Sequence, residues 1–191
     1  MIPTIDQAYV LWQTYAFPEK KQKHSLLVAA VAMWIATQIE QKKHIRIAKE
    51  LLYVAGLLHD IDKNIPWLPG ETHPDAGVRT LMNLNMVEVA QLVRTHPLHA
   101  ILDPKLAPAT LEEKILYLAD KMTKYEVISV DKRFSLWRAE PLTAKEQSVL
   151  DVAYPKVKAL EAEICSMIQM DPEEMLKSCK NDILQQEREI V

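Results

Sequence analysis

The stretch "LLYVAGLLHDIDKNIP", residues 51–66, decides how the rest of the chain is read. Its leucines, valine, alanine and glycine read as a buried helix. His59, Asp60, Asp62 and Lys63 then follow within about a turn and a half, before Pro66 stops the segment. Burying a basic ring, two carboxylates and an ammonium at the end of a core helix is costly unless something there compensates them.

Outward from this stretch, apolar residues recur with helical period through most of the sequence, and alternating strand patterns are scarce. The pattern predicts an all-α helical bundle, with helices over 5–16, 19–41, 45–62, 74–84, 86–96, 110–126 and 143–169, and a shorter one over 172–185. Prolines fall mostly at the proposed joints, where a missing N–H does least harm. Pro155 is the exception and is expected to kink or divide the long C-terminal helix. Residues 98–109, "LHAILDPKLAPA", form the longest irregular stretch, of a kind that borders sites.

The 191 residues suit one domain, with a core at about 20–130 and C-terminal helices 143–185 that pack on it or form a homodimer face. A net charge of −3 leaves no footprint for non-specific nucleic-acid binding. No apolar run is long enough to span a membrane, and "MIPTIDQAYVLW" lacks the pattern of a signal peptide. Cys165 and Cys179 fit neither a zinc spacing nor a disulfide framework, so reduced thiols and a cytoplasmic location are expected. Only Gly56, Gly70 and Gly77 occur, which excludes a Walker loop and a dinucleotide fingerprint. Phosphate chemistry would fall to metal ions and cationic side chains.

This stretch and three further segments aim polar groups at the core. His24 is followed by Leu27, Val28, Val31 and Ile35 on one helical stripe. His59 shares a face with Leu51, Leu52 and Ala55, and His96 with Val89, Leu92 and Val93. Asp120 follows Leu116 by four and Tyr117 by three. Singly, each reads as a hydrogen-bonded core residue, a cap or a salt-bridge partner. Together, buried imidazoles and carboxylates call for a divalent cation. The donor set suits iron, manganese, cobalt, nickel or zinc rather than a soft metal.

"KHSLLVAAVA", "AGLLHDIDK" and "EKILYLADKM" carry His24, His59-Asp60 and Asp120 in the order H…HD…D. In this the chain resembles the HD-domain metal-dependent phosphohydrolases over about residues 20–130. With His73 in "THPDAGVRTL" and His96 in "LVRTHPLH", the order H…HD…H…H…D is similar to that of the bacterial HD-type diadenosine tetraphosphate hydrolases. The resemblance implies one or two divalent ions, with His24, His59 and Asp120 holding one, His73 and His96 the other, and Asp60 bridging them. It implies hydrolysis of a phosphate ester or anhydride of a nucleotide or related phosphorylated small molecule.

Around those ligands, Lys63 is a candidate for a phosphate oxygen or the nucleophile, and Asp62 for orienting water or transferring a proton. The bland reading of Asp62 is a cap or an outer-sphere partner of a ligating histidine. Arg79 and Arg94 are candidate phosphate donors, and His99 a donor to the leaving group. Trp67 is the tryptophan placed to touch a nucleobase. "VDKRFSLWRAEP", residues 130–141, is basic and aromatic and suited to lie over the site through Arg133. "EKKQKH", residues 19–24, reads as a solvated helix start, and His44 as a surface residue. A minority of HD-domain proteins resemble di-iron oxygenases with the same ligands, and a non-catalytic metal-binding module is a third reading.

Overall fold

The computed structural model describes residues 2–189. Helix α1 spans Ile5–Thr14, α2 Glu19–Lys43, α3 Lys49–Leu58, α4 Asp75–Asn83 and α5 Val87–Thr95. Helices α6 (Leu111–Lys121), α7 (Val130–Arg138), α8 (Ala144–Ile168) and α9 (Pro172–Glu189) complete the chain. Short 3-10 turns cover Ile61–Asn64 and Leu98–Leu102. No strand occurs among the described residues, and the all-α reading stands. None of the described helices is long and apolar enough to cross a membrane.

The central unit is the pair α2 and α3, joined by the short segment 44–48 so that they run antiparallel. Where they cross, a Cβ on Gly56 would lie 2.7 Å from the Ala29 Cα, closer than packed atoms allow. Only a glycine permits this approach, and it brings the start of α2 beside the end of α3. His24 and His59 therefore meet, with ring centroids 5.2 Å apart. Helices α5 and α6 pack on the same pair. Ile35, Ile39, Leu52, Leu57, Leu58 and Leu116 are all fully enclosed in the shared core.

The helix ends differ from the expected ones for reasons that bear on the site. The helix expected over 45–62 stops at Leu58, and Asp60 (φ −105°, ψ 13°) leaves helical geometry to start the 3-10 turn. The helix expected over 110–126 stops at Lys121, after which a tight turn pairs Thr123 with Val127. That turn releases the Lys124 carbonyl from any helical bond, and His24 Nδ1 takes it as acceptor at 3.3 Å.

Helix α7 falls where no helix was expected. Its signals are a Ser129 cap, whose hydroxyl accepts from the Lys132 N–H, and the spacing of Val130, Phe134 and Trp137. The many charges of "VDKRFSLWR" mask that spacing. Helix α8 runs through Pro155 as one element, so of the expected kink or division the division does not occur. It opens on a capping box of Thr143 and Glu146 and packs against α2, α6 and α7. Helix α9 lies on α2 and α8, where Asp182 accepts from the Trp34 indole N–H at 2.7 Å.

Candidate metal centre

Six polar side chains converge where the ends of α2, α3, α5 and α6 meet the segment before α4. Asp60 stands at the middle. Its Oδ2 lies 3.6 Å from His59 Nε2 and 4.0 Å from His24 Nε2. Its Oδ1 lies 3.8 Å from His73 Nε2 and 3.7 Å from His96 Nε2. Asp120 Oδ1 approaches the first pair only, at 3.3 Å from His24 Nε2 and 3.6 Å from His59 Nε2. Donor atoms of His24, His59 and Asp60, and separately of Asp60, His73 and His96, are close enough to share an ion. One carboxylate thus faces two ligand groups with its two oxygens.

Each ring is turned by a bond at its other nitrogen. Nδ1 of His59 donates to the Gly56 carbonyl at 2.8 Å, and Nδ1 of His96 to the Val93 carbonyl at 2.6 Å. Nδ1 of His73 donates to the Asp62 carboxylate at 2.9 Å, and Nδ1 of His24 to Lys124 O. In all four the proton sits on Nδ1, and the Nε2 lone pair points to the common centre. The Nε2 atoms of His59 and His96 are buried with no hydrogen-bond partner among the described residues. A buried polar atom left this way is destabilising by itself. A divalent cation satisfies it, so the residues fit such an ion.

The electrostatics point the same way. Burial pushes the His59 imidazole down to about 3 against the pull of Asp60 and Asp120, which keeps it neutral. Burial likewise lowers His96. Burial opposes the charge of Asp60, yet His59, His96 and Lys63 hold its carboxyl well below the usual carboxylate range. The same holds for Asp120, where Lys121, His24 and His59 overcome burial. Neutral imidazoles and ionised carboxylates are the protonation states that bind metal.

A model of the HD domain matches residues 22–125, just over half of the chain. The protein belongs to the HD-domain family. HD-domain proteins are in general metal-dependent phosphohydrolases, and the matched span contains all six residues of the cluster. Neither the curated proteins nor the solved structures gave a match to the chain.

The HD centre opens into a cavity of about 1080 Å³. Lys63 lines it and donates to Asp60 Oδ2 at 2.6 Å, and His99 stands at its rim. Partial burial, then His73 and Lys121, lowers the His99 pKa. Other candidates lie elsewhere. Asp62 is fully buried behind His73 and does not line the cavity, so its placement is that of an orienting partner rather than a group meeting the reacting water. Gly77 makes room for it, since a Cβ there would be 3.2 Å from the Asp62 Cβ.

Arg79 is taken up by Glu71 at 2.5 Å and the Pro66 carbonyl at 3.0 Å, outside the cavity. Arg94 is exposed on α5 and outside it too, because the turn that aims His96 inward points position 94 to solvent. Trp67 donates to the Asp62 carbonyl at 3.0 Å and does not line the cavity. His44 is exposed, as expected.

Sequence reasoning passed over two sets of cations. Lys121 is buried, donates to Asp120 Oδ2 at 2.8 Å and to the His96 carbonyl, and lies 4.1 Å over the Tyr117 ring. It follows Asp120 directly, and that adjacency was the available signal. Lys20 and Lys21, read as a solvated helix start, line the cavity mouth. Lys21 Nζ also donates to Asn64 Oδ1 at 2.8 Å.

Proposed function

We propose that this HD-domain protein hydrolyses a phosphate ester or anhydride of a nucleotide or related phosphorylated small molecule at a dinuclear metal site. One observation carries the reading: four imidazole Nε2 atoms and two carboxylates converge at a cavity whose lining also carries six lysines and Arg133. His24, His59 and Asp120 would hold one ion, His73 and His96 the other, and Asp60 would bridge them. The donor set suits iron, manganese, cobalt, nickel or zinc. A divalent pair, when bound, polarises a phosphoryl oxygen and makes water acidic enough to attack near neutral pH.

The chain's own groups do the rest. Lys63 is 42% exposed at its side chain and reaches from Asp60 into the cavity, where its ammonium meets a phosphate oxygen. Lys121 stays hydrogen-bonded behind Asp120 and fixes that carboxylate. Asp62 fixes the tautomer of His73. His99, at the rim, is placed to donate to the leaving group. The cationic lining favours an anionic phosphate substrate over the oxygenase reading that the ligands alone leave open.

The direct test is metal analysis of protein purified without chelator. It is followed by a panel of nucleotides and dinucleoside polyphosphates with manganese, iron or cobalt supplied. Phosphate release that His59→Ala abolishes, with the far-UV spectrum unchanged, is the expected result. Absence of bound metal, or equal release by His59→Ala, overturns the reading.

A further inference from the structure

One wall of the cavity is built by α7, the start of α8 and the link between them, all beyond the matched residues 22–125. Its charged members are the exposed Lys145 and Glu146, the latter taken up by the Thr143 cap, and the buried Arg133. Arg133 is 8% exposed, and its Nε and Nη1 are buried with no hydrogen-bond partner among the described residues. Its guanidinium carbon lies 4.5 Å from the centre of the Trp137 ring. No carboxylate of the described residues forms an ion pair with it, and it is close enough to the like-charged Lys121 to act on that ammonium. Buried guanidinium donors without an acceptor, beside a second cation, are strongly unfavourable in isolation. An oxyanion in the cavity removes both defects.

Beside Arg133 the wall turns apolar. Trp137, Leu142 and Val149 are half-buried and face the cavity, with Leu150 beneath them. The wall therefore joins a stacked, unsatisfied cation to a surface for a planar or apolar group.

We propose that the α7–α8 hairpin is the substrate-selecting site. Arg133, held against Trp137, binds a phosphate group of the substrate, and the wall of Trp137, Leu142 and Val149 takes its organic part. The proposal rests on the phosphohydrolase reading for its substrate class, but its test reads binding instead of turnover.

Binding of pyrophosphate and of ADP to the full-length, metal-loaded protein is measured by calorimetry. Arg133→Gln is expected to weaken both ligands by about 10-fold to 100-fold, the range for losing a hydrogen bond to a charged group. Arg133→Lys should recover part of the loss. Leu142→Ser should weaken ADP alone and leave pyrophosphate unchanged. Because Arg133 is packed on Trp137, Val149→Glu is a second probe: on the more accessible α8 face, it places a negative charge in the same wall and should weaken both ligands without touching the stack.

Undiminished pyrophosphate binding in both Arg133→Gln and Val149→Glu overturns the anion site, as does no binding by the wild type. Equal loss of pyrophosphate and ADP in Leu142→Ser overturns the organic subsite. Metal content is measured in every variant and should stay at the wild-type value. A metal-free wild type would instead count against the phosphohydrolase reading, separately from Arg133.

Discussion

The two ends of the cavity are finished differently. At the metal end every imidazole is braced at Nδ1 by a carbonyl or carboxylate, leaving one lone pair aimed inward. At the hairpin end Arg133 is braced by a ring face, with donors unsatisfied, and the half-buried Leu142 and Val149 line the same wall. The metal end draws its side chains from helix termini of the family-matched core, and the hairpin end from the segment that follows. The contrast teaches a division of labour. Ligands of a small ion must be held within fractions of an ångström, and bracing achieves that. A wall that selects a substrate needs complementary charge and shape, and leaves its polar atoms for the ligand to satisfy.

The most damaging single change should be Asp60→Asn, since both ligand groups share that carboxylate. Turnover should fall on the order of a thousandfold, the several kcal/mol of barrier that the metals supply, and metal analysis should show both ions weakened. Loss of one ion alone would break the picture of Asp60 as the shared centre.

Asp62→Asn should be milder and one-sided. It removes the carboxylate that holds His73, so chelator competition should show one ion about 10-fold to 100-fold weaker and the other unchanged. Equal weakening of both would mean that the two ligand groups are not separately braced.

Gly56→Ala tests the crossing that brings the helix ends together. A Cβ at 2.7 Å from the Ala29 backbone cannot be accommodated without moving a helix. Stability should fall by about 1–3 kcal/mol in urea denaturation, with metal affinity falling alongside. Ligand binding at the hairpin, measured with ADP, should change less.

The last expected effect is of pH on the metal-free protein. Folding lowers the pKa of His59 and His96, so below about 6.5 the unfolded chain holds more protons than the folded one. Their contribution to stability is full above that pH and is lost as pH falls, by up to about 1.4 kcal/mol per pH unit for each ring. Denaturation of chelator-treated protein at pH 7.5, 6 and 5 measures it. The hairpin contains no histidine, so Leu142→Ser should leave the slope unchanged. An altered slope would show the two ends to be coupled.

Much of the metal end was legible because helix periodicity fixes side-chain direction. His24, His59, His96 and Asp120 each lie on an apolar stripe, so burial followed from spacing alone. Asp62 was harder, because two residues after Asp60 the chain leaves the α-helix and periodicity no longer says where a side chain points. Arg79 and Arg94 show the limit of nearness in sequence: each neighbours a ligand along the chain, yet one pairs with Glu71 and the other faces solvent.

The sequence by itself determined the all-α class, the family and the members of the His/Asp cluster, since these depend on local period and on the spacing of a few chemically distinctive side chains. Only the tertiary structure decided what faces them. The net charge of −3 conceals a cavity where Lys20, Lys21, Lys63, Lys121 and Arg133 gather. The four lysines meet through the packing of α2, α3 and α6, and Arg133 joins them because α7 folds back over the core; such long-range packing leaves no periodic trace in the chain.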